Sequence, residues 1–368
     1  MRVGVLTGGG DCAGLNSALK WVVKTALDPL LAKDRKEKFE VLGIRDGWKG
    51  LVEINPRDSA SVAQWSMPLS ELLVRTWDRL GGTNLGTSRV NPLNHQGENK
   101  SKQVLDNFRD LGLEVLVAIG GEDTLGAARK LHETGLKVVG IPKTIDRDLS
   151  GTDYTLGYDS ALNVITEEVD RLRTTAGSHS RTFVVETMGR HAGWLALEGG
   201  EAAGAYIILI PEWEFSIERV CDLLQERRKS GVRYEIVVVS EGARVRGAEE
   251  IYLSEKTDGF GHKVLGGIAR RLAKEIENGA GQETRSVVLS HLQRGGQPSA
   301  LDRLMGRRFG IGAVDLIQRE EFGRMVSWQK GEITSVTLEQ AVGKLQTVDV
   351  DRQYDTVRYN GRRSSLLP

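Results

Sequence analysis

Two aspartates flank an arginine in Pro142-Lys143-Thr144-Ile145-Asp146-Arg147-Asp148, just past a β-branched run and a stiff proline. A carboxylate so placed can take a proton from a hydroxyl, and the same residue type also closes turns. For Asp146 and Asp148 alone both readings stand. Acids recur after a glycine pair in Gly120-Gly121-Glu122-Asp123-Thr124. A bound phosphate would be repelled there unless a Mg²⁺ ion sat between acid and phosphate. The other reading of Glu122 and Asp123 is a solvated pair favoured by the dipole of a helix N-terminus. The triple glycine Gly8-Gly9-Gly10 lets backbone N–H groups approach an anion at the start of the next helix, or makes a tight turn. It has neither the GxGxxG spacing of dinucleotide sites nor the GxxxxGK[ST] spacing of the P-loop. Cations complete the set: Arg181, the Arg190-His191 pair, Arg285, His291 and Arg294. Each alone suits a surface ion pair, but together at strand ends they can grip a sugar phosphate through forked hydrogen bonds.

The elements that must position these groups are legible as continuous apolar runs. These are Val3 to Leu6, Val115 to Ile119, Val138 to Ile141, Thr182 to Val185, Tyr206 to Ile210, Glu235 to Val239 and Ser286 to Leu289. Continuous apolar character predicts strands buried on both faces of a parallel sheet. Helix-period segments lie between them: Asn16 to Leu27, Ser160 to Arg173, Ser216 to Lys229 and Gly266 to Asn278, the last with Gly279 as its expected C-cap. Alternating strands and helices predict a doubly wound α/β fold, with ligands beyond the carboxyl ends of the strands. Almost every predicted strand runs into glycines or charged residues there. Two similar lobes are expected. The first is expected to cover 1–157 plus about 295–340 and the second 158–294, with the polar stretch 341–368 peripheral.

Composition narrows the classes. The 50 Lys and Arg balance the 50 Asp and Glu, so no global field draws the chain to nucleic acid or an anionic membrane. The two cysteines, Cys12 and Cys221, have no metal-ligand spacing and suit a reducing compartment. No apolar run approaches the roughly 18 residues a membrane span needs, and a strand opening near Met1 leaves no room for a leader, so a cytoplasmic protein is expected.

Eight ordered segments, GGGDCAGLN, GGTNLGTSR, GGEDT, PKTID, GSHSR, ETMGRHAGW, SEGA and SHLQRGG, resemble the phosphofructokinases to about residue 325. The resemblance implies two Rossmann-like lobes with the active site in the cleft between them. It also implies a homodimer or homotetramer with shared sites. Carried over by motif, Asp146 looks like the base for the sugar 1-hydroxyl, with Thr144, Asp148 and Arg190 also catalytic. Gly10, Arg89, Gly121, Asp123, Thr124 and Lys143 fall among donor contacts, and Glu122 at Mg²⁺. Met188, Gly189, Arg190, Glu241, His291 and Arg294 match sugar-phosphate contacts. Arg181 and Arg285 match those reaching in from an adjacent subunit.

ATP-dependent members of that family usually have Gly at the position of Asp123, and many have Gly at that of Lys143, whereas pyrophosphate-dependent members usually have Asp and Lys. A carboxylate there intrudes on the nucleotide α-phosphate in bulk and in charge. The expected reaction is reversible transfer from pyrophosphate to fructose 6-phosphate, as in glycolysis and gluconeogenesis. ATP as donor and sedoheptulose 7-phosphate as acceptor are the alternatives. Arg147 departs from the family, which usually has Asn there. Pointing inward it would lower the basicity of Asp146 and favour a larger or more anionic acceptor. Pointing outward, as in an extended stretch, it would be harmless.

Overall fold

Wherever the sequence offers a β-branched run the backbone forms a strand, and the chain lays these strands into two sheets. The computed structural model describes residues 1–28, 38–247, 252–257, 260 and 263–356. In chain order the strands are β1 (Arg2–Thr7), β2 (Glu40–Ile44), β3 (Ser66–Leu69), β4 (Val115–Gly120), β5 (Val138–Pro142), β6 (Thr182–Thr187) and β7 (Ile207–Leu209). They continue with β8 (Ile236–Ser240), β9 (Tyr252–Thr257), β10 (Lys263–Leu265), β11 (Thr284–Val288), β12 (Arg324–Gln329) and β13 (Glu332–Thr337).

The larger sheet has the order β13-β12-β5-β4-β1-β2-β3 and the smaller β11-β6-β8-β7, while β9 and β10 form a separate antiparallel pair. Every pairing in the smaller sheet is parallel. In the larger sheet only the edge strands β3 and β13 run antiparallel to their neighbours. Every residue of β4 and of β8 is buried, which explains why their sequences are apolar throughout rather than alternating. The runs missed in the sequence are β2 and β3, the half-exposed pair β12 and β13, and the β9–β10 pair.

Topology locates the site. From β1 the chain moves to β2 on one side and then returns to β4 on the other, so the winding reverses between β1 and β4. In the smaller sheet β6 lies between β8 and β11, and the reversal falls there. Crevices open at the carboxyl ends of strands at such reversals. The helix Leu15–Leu27, which follows β1, packs along Ala300–Gln318 near the other end of the chain.

Two expectations need correction. Helix Ile268–Ala280 runs past Gly279 and is capped by Gly281 at φ 64°. Gly279 is instead a close-packing position, where a Cβ would meet Cys221 Sγ at 2.8 Å. The stretch from 341 is not peripheral over its described part. Ser150 N donates to Ala341 O at 3.2 Å, and Gln346 N to Asp148 O at 2.8 Å. Farther along, the buried Tyr354 donates its hydroxyl to Ile208 O of β7 at 2.7 Å. Residues 341–354 therefore lie against parts of both sheets. Their polar sequence misled because the buried apolar anchors Ala341, Val348 and Tyr354 are few and widely spaced, with backbone hydrogen bonds holding the stretch between them.

Candidate active site

A cavity of about 420 Å³ opens where the two reversals face each other. From the larger sheet come Gly10 after β1, the start of helix Glu122–Glu133 after β4, and Lys143, Thr144, Asp146 and Asp148 after β5. From the smaller sheet come Met188, Arg190 and His191 after β6, Glu241 after β8, and Arg294 after β11. Gly8 and Gly9 do not offer their amides to a ligand, because Gly8 N donates to Ile119 O and Gly9 N to Ser88 O. The following helix starts only at Leu15. Gly10 instead leaves room for Arg294, whose Nη1 would stand 2.7 Å from a Cβ there. That guanidinium donates to Asp11 O at 3.0 Å, so an arginine positioned from the smaller sheet rests on the first loop of the larger one.

Lys143 is buried, 3% exposed, and its ammonium donates to Gly10 O. Burial pulls its pKa down to about 8, with the Arg294 guanidinium acting in the same direction. Asp146 lines the cavity. Its Oδ1 is buried and has no hydrogen-bond partner among the described residues. Burial raises its pKa, against the pull of Arg294, Lys143, Arg190 and His191. Asp148 is pushed up to about 7, first by burial and then by the charge of Asp146. Glu241 is pushed up to about 7 by burial, with Asp146 and Glu186 adding to it. Thr144 Oγ1 accepts from Asp146 N at 3.1 Å, and Thr144 O accepts from Thr155 Oγ1 at 2.7 Å, which fixes the turn that carries the acids. Carboxylates, cations and an unpartnered carboxylate oxygen thus share one crevice, an arrangement that can receive a hydroxyl proton while neutralising phosphate charge.

The family model described as phosphofructokinase matches residues 2–317. The chain belongs to the phosphofructokinase family. Among curated relatives, the "pyrophosphate--fructose 6-phosphate 1-phosphotransferase" of Amycolatopsis methanolica is 47% identical over 96% of this chain and 97% of its own length. The "ATP-dependent 6-phosphofructokinase 3" of Streptomyces coelicolor is 44% identical over 95% of this chain and 96% of its own. A solved structure of the pyrophosphate-dependent phosphofructokinase from Nitrosospira multiformis superposes with a TM-score of 0.79 at 21% identity, covering 99% of this chain and 89% of that one, and supports the two-lobed phosphofructokinase fold.

Most residues picked out by the phosphofructokinase motifs line the cavity together: Gly10, Arg89, Gly121, Glu122, Asp123, Thr124, Lys143, Thr144, Asp146, Asp148, Met188, Arg190, Glu241 and Arg294. Gly189 is adjacent, its carbonyl taking the Ser240 hydroxyl at 2.5 Å. Three residues are not brought in. His291 lines a separate surface groove with Leu292 and Gly296. Arg181 and Arg285 both pair with Glu283, at the opposite ends of β6 and β11 from the cavity. His191 and Leu345 join the lining instead. His191 was visible beside Arg190 in the sequence, whereas nothing local marked Leu345, which arrives through an antiparallel bridge to Leu149. Arg147 takes the outward placement, but through a left-handed backbone at φ 54° rather than an extended one. Its Nη1 pairs with Glu198 Oε1 at 2.6 Å.

No helix among the described residues is long and apolar enough to cross a membrane. Nor do the described residues hold a cluster of three or more His, Cys, Asp or Glu ready for a metal ion.

Proposed function

We propose that the chain transfers a phosphoryl group from pyrophosphate to the 1-hydroxyl of fructose 6-phosphate, giving fructose 1,6-bisphosphate and phosphate. The observation that carries the donor choice is that Asp123 and Lys143 share the wall of the cavity, with the Lys143 ammonium laid on Gly10 O. A carboxylate there excludes the next phosphate of a nucleotide, and the ammonium neutralises the oxygens of a two-phosphate donor. The close relatives named for pyrophosphate support this reading, although relatives named for ATP stand only a few per cent lower in identity.

In this reading Asp146 takes the hydroxyl proton through Oδ1. Burial strengthens it as a base, and Arg294, Lys143, Arg190 and His191 favour its charged form. Asp148 supports the same turn. Thr144 and Arg190 face the transferring group, where a fixed guanidinium stabilises charge that spreads onto the equatorial oxygens. Gly10, Arg89, Gly121 and Thr124 hold the rest of the donor; Met188, Gly189, Glu241 and Arg294 hold the sugar phosphate. Arg181 and Arg285 are assigned to a site shared with a second copy in a homo-oligomer, and His291 is assigned to the sugar phosphate. Glu122 would hold a Mg²⁺ ion, which takes oxygen donors and commonly needs only one or two protein carboxylates besides substrate phosphates and water. That ion, when bound, neutralises phosphate charge.

The test is a matrix of pyrophosphate, ATP and polyphosphate against fructose 6-phosphate and sedoheptulose 7-phosphate. The expected result is turnover with pyrophosphate and fructose 6-phosphate, and ATP use only after Asp123→Gly combined with Lys143→Gly. Wild-type turnover with ATP and none with pyrophosphate refutes the donor assignment.

A further inference from the structure

If Asp146 is the base, the turn that carries it has to be held against the pull of the surrounding cations. This inference rests on the reaction proposed above. We propose that Arg147, which points away from the cavity, is a positioning residue that locks this turn to the smaller sheet and the C-terminal segment.

Four observations support it. First, Arg147 sits at φ 54°, a left-handed conformation that residues with a Cβ seldom adopt. Second, the guanidinium is gripped on three sides, by Glu198 Oε1 at 2.6 Å, the Trp194 ring at 4.9 Å and the Tyr158 ring at 5.3 Å. Planar stacking combined with a charged hydrogen bond is what arginine offers and lysine does not. Third, both rings are themselves anchored. Trp194 opens helix Trp194–Ala202 and donates Nε1 to Gln346 O at 2.9 Å, while the Tyr158 hydroxyl donates to Trp194 O at 3.4 Å. Fourth, Gln346 returns to the turn, its N donating to Asp148 O at 2.8 Å. The path from Arg147 through Trp194 and Gln346 back to Asp148 is therefore closed. The ring ties the Arg147 side chain to the Asp148 carbonyl through Trp194 and Gln346, and the side chains on both flanks of Arg147 are the two acids of the cavity.

The test compares Arg147→Asn, Arg147→Lys and Glu198→Gln with the parent enzyme. Asparagine accepts a left-handed backbone readily, so Arg147→Asn keeps the turn allowed while removing the tether. Parent turnover in the donor matrix decides the reaction itself, and each variant is then assayed with whichever donor the parent uses, so failure of the tether and failure of the donor reading are separate results. Arg147→Asn is expected to lose at least tenfold in kcat with KM for donor and sugar phosphate within about twofold. Arg147→Lys should retain more kcat than Arg147→Asn. Glu198→Gln added to Arg147→Asn should cost nothing further, because Glu198 then has no guanidinium to hold. Far-ultraviolet circular dichroism and the melting temperature check that each variant is folded. A folded Arg147→Asn enzyme with kcat within threefold of the parent overturns the assignment, as does a loss that appears in KM alone.

Discussion

Replacing Lys143 with methionine removes a charge from the donor end of the cavity while keeping its length and apolar stem. With its pKa drawn to about 8 by burial, the amine is roughly nine-tenths charged at pH 7 and roughly one-tenth charged at pH 9. In the free enzyme the efficiency with pyrophosphate should therefore fall about tenfold for each pH unit above 8. A unit charge about 4 Å from a donor oxygen is worth about 4 kcal/mol at an effective dielectric constant near 20. Allowing for Arg294 nearby, Lys143→Met should lose on the order of 10² in kcat/KM for pyrophosphate at pH 7. Stability should move the opposite way. The folded state holds this proton less tightly than the unfolded chain, so the penalty is complete below about pH 8 and fades as the pH rises toward 10.5. At 1.36 kcal/mol per pH unit it amounts to about 3 kcal/mol at neutral pH, which the methionine variant escapes. The assay is a coupled measurement of kcat/KM from pH 6.5 to 9.5 on both enzymes, alongside urea unfolding. The ionisation of pyrophosphate itself is common to both and cancels in their ratio. The reasoning is refuted if Lys143→Met uses pyrophosphate at the parent rate, or if the parent-to-variant ratio does not fall above pH 8.

Asp146→Ser should lose about 10² to 10⁴ in kcat while retaining the fold, as for removal of a positioned base, and near-normal turnover would remove Asp146 from that role. Asp148, pushed up to about 7 by burial and by Asp146, holds its proton more tightly in the folded state than in the unfolded chain. That contribution is present at low pH and is lost as the pH climbs through 7, so the free enzyme should melt higher at pH 6 than at pH 8. Asp148→Asn should flatten this slope, leaving the part due to Glu241; a slope identical to the parent's would contradict the environment described for Asp148.

Much of this was legible because both sheets bury their central strands on two faces. That condition writes itself into the sequence as uninterrupted runs such as Val115 to Ile119, and it makes the residues just beyond each run conspicuous. Strands with an exposed side, such as β13, leave no such trace, and a short one such as β3 leaves too little. Arg181 and Arg285 were recognisable as cations, but their distance from the cavity of their own chain depends on which end of a parallel strand they occupy. The bridge of Leu345 to Leu149 and the bond from Gln346 to Asp148 were invisible because they join residues about two hundred positions apart through main-chain atoms, and main-chain atoms are the same in every residue. The backbone of Arg147 could not be read either, since a left-handed arginine is set by the rings and the carboxylate that grip it.

The stitching of residues 341–354 onto both sheets has a consequence during synthesis. Leu345 lines one side of the cavity and Gln346 holds the main chain of Asp148, yet both emerge from the ribosome only after the described strands, β1 to β13, have been made. A nascent chain that has completed β13 is thus still without part of its catalytic wall, and on the proposed reaction it gains competence to spend a phosphoanhydride only once residues 345 and 346 have also emerged.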